Sequence, residues 1–475
     1  MFLRQKLDEK GMYFSLNPKD SDFATHETVL TNLVGTLVKL SETGQFEPYL
    51  AETFSTSEDG LTWTFNIRSN LACEDGTAIT AQSFAEAFTL ALKRYSKFSK
   101  VIDFELLEGW GSFSSGQSTS ISGITYVNNR LIFKLTARPE NFIGHLRLPY
   151  FGFWCSHNFN SDGSFKDDHK IISSGPYRVS HSAKNSILLE KRSDWFSISE
   201  DSPKEIHFSY ATPDKLSDSS PTTVIEILGR DKVLNLPSFM EIKSPPSIMW
   251  AMIVSPIKKG PFESLKNRQA FADRITAAKK KSALFSSTLF YPSTPTDVQL
   301  RQHLTPYNSE MAGKKINFAF ANRNYTQQEI DEIKKITLEA LRDSSAEVEF
   351  HFGEPLENNW RHRLLSNREF DIRMNGVDQG GYPKNRTIKM MFCSNLGVCY
   401  PDPSGRICKV VDAQDRNGGP IPQAYISEFN QALYDDASVI PLTHFGTHWL
   451  ASSDIDLKTL PPNSGIFHFE GIRLK

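Results

Sequence analysis

No apolar run of about 18 residues or more occurs in the chain, so no stretch is long enough to span a bilayer as a helix. Neither sign of charge predominates: 53 Lys and Arg face 55 Asp and Glu, for a formal net charge of −2. A nucleic-acid binder or a protein held to anionic lipid needs a concentrated basic face, and this balance argues against both. Cysteine is scarce, with five in 475 residues, and the chain has no C-x-x-C spacing and no adjacent histidine pair. A zinc site is therefore not expected, nor is any other cofactor. From the residues alone the cysteines read as free buried thiols rather than a disulfide framework.

The words of catalysis are also missing. There is no G-x-S-x-G elbow, no H-E-x-x-H, no P-loop and no G-x-G-x-x-G. Acidic pairs abound, but no spacing singles out an acid/base couple. The expectation is a protein that is not an enzyme, with a secreted hydrolase built from scattered residues as the poorer alternative. The first residues, MFLRQKLDEKGMYF, lack a charged-then-apolar leader. If the protein is exported, its signal or lipid-anchor segment is expected to be absent from this sequence. No internal repeat is visible.

What is present is enough for a large core. The length suggests two to four domains of about 150 residues each. Hydrophobic residues make up 39% and aromatics 12%, and core packing is the expected home of the 34 Phe. The most informative stretch is residues 50–80, LAETFSTSEDGLTWTFNIRSNLACEDGTAIT. Ser57-Glu58-Asp59-Gly60 is a turn, because Asp bonds its own backbone and Gly accepts positive φ. Thr62 to Arg68 alternates polar and apolar, the period of a half-buried strand. A second turn follows at Glu74-Asp75-Gly76-Thr77. Thr80 then caps a helix whose apolar residues Phe84, Phe88, Ala91, Leu92 and Tyr95 recur at helical spacing.

The order of these words resembles the hallmark region of the family 5 extracellular solute-binding proteins, the peptide-binding components of ABC importers. That family writes L-A-E-x-W, then S-x-D-G-x-x-Y/W-x-F-x-L-R, then D-G-x-x-x-T-A. Here these stand as Leu50 to Phe54, Ser57 to Arg68 and Asp75 to Ala81. Further words run along the chain: Phe14 to Pro18, Val34 to Val38, Ser174-Gly175-Pro176-Tyr177, Gly260-Pro261-Phe262, Asn267 to Ala272 and Ser438 to Leu442.

The resemblance implies an α/β, periplasmic-binding-protein-like fold: two hinged α/β lobes joined by two crossing strands, with an additional inserted domain. Mapped here, domain I is 1–37, 172–250 and 442–475, inserted domain II is 38–171, and domain III, the second lobe, is 251–441. It also implies a monomeric receptor, periplasmic or lipid-anchored outside the inner membrane, that captures a short peptide between its lobes and delivers it to a membrane permease. A local disulfide of the dipeptide-binding branch maps to Cys393–Cys408, with Cys393–Cys399 next in order.

A peptide offers an ammonium, a carboxylate and an extended backbone, so its receptor needs groups of both signs. Arginine suits the carboxylate because its fork donates two parallel hydrogen bonds. Ile316 to Phe320 reads as a strand, and Thr326-Gln327-Gln328-Glu329 as a capping box opening a helix with Ile330, Ile333 and Ile336 inward. Arg323 stands between them, where the resemblance places the carboxylate-binding arginine. For the amino end the family sets an Asp four residues before a Pro. Counting from Pro383 the fourth residue is Gln379 and Asp378 lies one further, with Gly380 and Gly381 permitting unusual turns. Strand Phe370 to Met374 precedes this loop. Weaker ligand candidates are Phe23, Thr25, His26, Trp154, Trp250 and His444, each of which packing explains as well. Rival ligands on the same fold are oligosaccharides, metal chelates and cell-wall peptides, and a rival role is an adaptor presenting ligand to a sensor.

Overall fold

A computed structural model describes residues 2–5, 16–17, 24–41, 45–94, 103–139, 141–160, 163–167, 169–183, 186–211, 224–227, 238–243, 248–285, 299, 301, 303–321, 325–353, 363, 368–378, 389–393, 400–402, 404–415, 423–445, 448–459 and 468–475. The chain divides into two compact units. One comprises Met1–Leu228, Lys232–Ser244 and Thr447–Lys475, the other Gly229–Asp231 and Pro245–Gly446.

The first unit contains three sheets among its described residues. Strands β1 (Phe2–Gln5), β8 (Tyr177–Ala183), β9 (Ser186–Lys191), β10 (Glu205–Ala211), β11 (Val224–Ile227), β12 (Phe239–Lys243) and β18 (His448–Ser452) form one, in the order β12-β18-β11-β1-β10-β9-β8. Strand β1 lies parallel to both β10 and β11, so the first residues of the chain are held between segments some two hundred positions later. Helix α1 (Ala24–Leu33) lays Val29, Leu30 and Leu33 over this sheet against Tyr177, Ile187, Leu189 and Phe208. A two-stranded ribbon, β2 (Val38–Leu40) with β3 (Phe46–Pro48), follows.

The hallmark stretch folds as its turns dictate. Strands β4 (Ala51–Thr56) and β5 (Thr62–Ile67) pair antiparallel. The amide of Leu61 donates to the Asp59 carboxylate at 2.9 Å, and Gly60 sits at φ 74 between the strands. With β6 (Ile124–Val127) and β7 (Arg130–Lys134) the hairpin makes a four-stranded sheet, and helix α2 (Ala81–Arg94) contacts β6 and β7. Thr80 and Ser83 exchange hydrogen bonds at the helix start, and Phe84, Phe88, Ala91 and Leu92 are buried; Tyr95 lies outside the described residues. Phe88 meets Phe133 at 5.2 Å and Phe104 at 5.1 Å, and Phe104 meets Phe151 at 4.8 Å. The phenylalanine surplus thus builds this core through edge-on ring contacts. The Ser- and Gly-rich stretch 109–123 contains a short helical turn at Trp110–Ser114.

One expectation is corrected here. Cys73 and Cys155, read as free thiols, form a disulfide with Cα atoms 6.3 Å apart. They stand 82 residues apart in sequence, so no local pattern could have joined them. The second pair, Cys393–Cys408, is the one the resemblance implied.

The second unit is built on β13 (Ile248–Val254), β14 (Lys315–Ala321), β15 (Glu347–Gly353), β16 (Ile372–Asp378) and β17 (Val439–Phe445), in the order β15-β14-β16-β13-β17. Strand β13 reads IMWAMIV without a polar break because both faces of the sheet are covered. Trp250, Met252 and Val254 pack among residues of helices α3 (Leu265–Lys279) and α4 (Gln327–Leu341). Met249, Ala251 and Ile253 pack among residues of α5 (Arg406–Asp415) and α6 (Gln423–Asp436).

Pro441 interrupts the ladder between β13 and β17, where the register shifts at Trp250/Ala251. Its carbonyl accepts a hydrogen bond from Lys279 Nζ, a lysine only 3% exposed. Burial holds the Lys279 pKa down to about 7, against an ordinary 10.5. Between those values the unfolded chain keeps a proton that the folded chain has released. Stability contributed at this site therefore rises with pH across that window, by up to about 1.4 kcal/mol per pH unit. Urea unfolding of the wild type and Lys279→Met should show the wild type gaining about 2 kcal/mol on the variant from pH 7 to pH 9. A second test concerns the 82-residue disulfide loop. Replacing both Cys73 and Cys155 by Ala should cost on the order of 4 kcal/mol, read as a lowered denaturant midpoint.

Candidate functional site

Strands β14, β15 and β16 run parallel and end at Ala321, Gly353 and Asp378. Ligand residues in α/β folds gather outside such carboxyl ends. Strand β13 runs the other way and starts at this edge, while β17, antiparallel to β13, runs with the parallel strands and ends there. Asp378 pairs with Ile248, and Ile248 with Phe445; on the next rung Val377 and His444 flank Met249; on the third Gly376 and Thr443 flank Trp250. Three residues singled out from sequence, Asp378, His444 and Trp250, thus fall within three adjacent rungs.

Strand β16 is longer than expected. The sequence pattern ends it at Met374, but Asn375 to Asp378 continue the pairing with β13 and make Asp378 the last residue of the strand. The alternation that marks a strand fails at Asn375 and Gly376, and only the partner strand carries it on. The side chain of Asp378, and all of Arg323, Gln379, Gly380 and Phe23, lie outside the described residues. Strand β14 ends two residues before Arg323.

The described wall of this edge is aromatic. Tyr325 packs on Trp250 with ring centroids 4.6 Å apart. Gly376 lies under the indole, and a Cβ there would come 3.0 Å from Trp250 Cδ1. The expected capping box is present: Thr326 accepts from the Glu329 amide at 3.2 Å while Glu329 Oε2 accepts from the Thr326 amide at 3.0 Å. It fixes the start of α4 directly after Tyr325, and Ile330, Ile333 and Ile336 point into the core. Burial raises the Tyr325 pKa well above that of a free phenol, with Tyr400 and Glu329 adding to it and Arg373 opposing. The hydroxyl therefore stays neutral.

Beside it, the side chain of Asn375 donates to the Tyr400 hydroxyl at 2.7 Å, and the Arg373 guanidinium stands 5.7 Å from the Tyr400 ring centre. Tyr400 is buried and its pKa is raised chiefly by that burial. Tyr325, Gly376, Asn375 and Tyr400 were not singled out from sequence. Nothing local marks Tyr400 as a neighbour of β16.

In the first unit, Thr25 and His26 belong to the first turn of α1, with side chains outside the described residues. Trp154 is 3% exposed, donates its indole N–H to the Pro149 carbonyl at 2.9 Å, and packs against Phe159 and Phe165. Those contacts are of a core residue. A further pocket of about 580 Å³ in the second unit is lined in part by Arg301, Arg406, Tyr434 and Asp435. Its cations already have partners, Arg301 with Asp273 at 2.7 Å and Arg406 with Asp435 at 3.0 Å. Among the described residues no group of three or more His, Cys, Asp or Glu could hold a metal ion.

The fold is that of a periplasmic binding protein. Haemophilus influenzae OppA, solved with the peptide RPPGFSPFR, superposes with a TM-score of 0.74 over 99% of this chain and 100% of that one, at 12% identity. The murein tripeptide binding protein MppA of Escherichia coli gives 0.74 over 100% of this chain and 98% of its own, at 14% identity. At such identities the likeness is one of fold. The sequence profile of bacterial extracellular solute-binding proteins, family 5 middle region, matches residues 45–275. The match covers just under half of the chain and is a likeness to that family over this stretch. It is 25% identical over 279 residues, 54% of its length, to the nickel-binding periplasmic protein of Escherichia coli, and 24% identical over 35% of its length to the dipeptide-binding protein DppE of Bacillus subtilis. These matches span 50% of the first relative and 31% of the second.

The contact under Trp250 yields a prediction. Gly376→Val forces the indole off its place on β16 and should cost about 1–3 kcal/mol of stability, measured by urea unfolding.

Proposed function

We propose that the protein is the substrate-binding component of an ABC importer and captures short peptides outside the cytoplasmic membrane for delivery to a permease, without making or breaking a bond. The observation that carries this reading is the carboxyl edge of β14 and β16, where Asp378 ends one strand and Arg323 follows the other by two residues. Neighbouring parallel strands carrying one cation and one anion suit a zwitterionic chain. In this reading Arg323 holds the ligand carboxylate, and Asp378 or Gln379 meets the amino end, with Gly380 shaping the turn. Trp250 and His444 border the peptide, and Phe23, Thr25 and His26 are kept as further ligand candidates. Trp154, sealed in its core, acts only by holding its neighbours.

The proteins named above are binding proteins, which supports a receptor rather than an enzyme. Two disulfides suit an oxidising compartment, hence a periplasmic or lipid-anchored site outside the inner membrane. We further read residues 38–171 as an inserted domain II within the first unit, and the protein as a monomer. A second reading, a metal chelate as ligand, draws on the nickel-binding relative, the wider of the two curated matches.

Titration calorimetry against di- to pentapeptides should give micromolar binding, about −8 kcal/mol. Arg323→Ala should weaken it at least thirtyfold, since stripping one partner from a desolvated ion pair costs about 2–5 kcal/mol. Unchanged affinity in the variant removes the carboxylate role. Peptides cleaved at turnover remove the receptor reading, and heat on adding a nickel chelate but no peptide favours the second ligand class.

A further inference from the structure

Cys393, Cys399 and Cys408 can join in three ways, and the protein holds the pair with the widest spacing. The bonded residues stand 15 apart, whereas Cys399 is six residues from Cys393 and nine from Cys408. Loop closure falls with about the 3/2 power of length, so before structure forms the six-residue closure is favoured about fourfold over the native one. The native pair must therefore draw on tertiary structure. Cys408 lies in the first turn of α5, where the Asp402 carboxylate accepts from the amides of Ile407 at 3.4 Å and Cys408 at 2.9 Å. Ile407 is fully buried in the cluster that holds Met391, Phe392, Tyr400 and Phe429. Cys408 is in place only once that helix has docked.

The segment around Cys393 closes locally. The Tyr400 amide donates to the Met391 carbonyl at 2.5 Å, and the Phe392 and Tyr400 rings meet at 5.3 Å. Met391 and Tyr400 thus meet, and the sequence between them contains both Cys393 and Cys399. Cys399 itself lies outside the described residues. Cys393 and Cys408 are half-buried, within reach of exchange, whereas Cys73 and Cys155 are 1% and 0% exposed.

We propose that Cys399 is the first partner of Cys393 during oxidation, and that Cys408 then displaces it. A disulfide donor such as oxidised glutathione takes two electrons and two protons from the Cys393 and Cys399 thiols and becomes two thiols itself, leaving the Cys393–Cys399 bond. When α5 docks, the Cys408 thiolate attacks the Cys393 sulfur. The Cys393–Cys408 bond forms as Cys393–Cys399 breaks, and Cys399 leaves as the thiolate that takes up the proton Cys408 gave off. That second step is redox-neutral. Cys399 remains in the finished chain as its odd thiol.

Oxidative refolding of the reduced full chain in a glutathione buffer, with alkylation at timed points and peptide mass spectrometry, tests this. Cys393–Cys399 should precede Cys393–Cys408, Cys408→Ser should stop at Cys393–Cys399, and Cys399→Ser should form the native bond several-fold more slowly. Three results each overturn the proposal: Cys393–Cys408 or Cys399–Cys408 as the earliest bond, no Cys393–Cys399 bond in Cys408→Ser, or native bond formation at the wild-type rate in Cys399→Ser. Bond mapping does not require either variant to fold.

Discussion

Strand β13 is the constraint on which the second unit rests. It pairs along both edges, with β16 on one side and β17 on the other, and it is covered on both faces. A backbone in that position has no water to satisfy it, so its N–H and C=O groups must find partners in the neighbouring strands. Those partners set the register, and a slip of one residue would turn Trp250 from the helix α3 and α4 face to the opposite one. The same register sets which residues meet at the edge of the sheet. Trp250 lies over Gly376 because the ladder pairs them, and Tyr325 closes on the indole because the capping box starts α4 there.

Polar groups in this unit are tolerated where they complete such bonds. Lys279 costs desolvation, yet it serves a carbonyl in the irregular stretch of ladder at Pro441. Its lowered pKa is the physical signature of that compromise. Arg268 is a second case, spending its guanidinium on the carbonyls of Phe262, Glu263 and Asp436 while 3% exposed. In the first unit Glu470, also buried, gathers the Tyr49 hydroxyl at 3.0 Å and Lys39 at 3.3 Å and so fastens the end of the chain to its beginning. Such groups hold distant segments together with a geometry that apolar contacts alone would leave loose.

Local chemistry was legible where it decides locally. The turn at Asp59-Gly60, the strand after it, the helix opened by Thr80 and the capping box at Thr326 follow from residues within a few positions of one another. The order of these elements also carried the family resemblance, and with it the fold and the Cys393–Cys408 pair. What escaped was set across the chain. Strand β16 runs on through Asn375 and Gly376, residues that favour turns, because β13 supplies partners for them.

The sequence alone determined the identity of the short-range elements and the sites of their caps and turns, since both depend on contacts a few residues long. Tertiary structure alone decided that Asp378, His444 and Trp250 share one end of a sheet, that Tyr325 and Tyr400 stand near them, and that Cys73 finds Cys155 82 residues away. The reason is that strand pairing and disulfide choice are settled by which segments pack together. That depends on the burial of whole faces, a property no window of neighbouring residues contains.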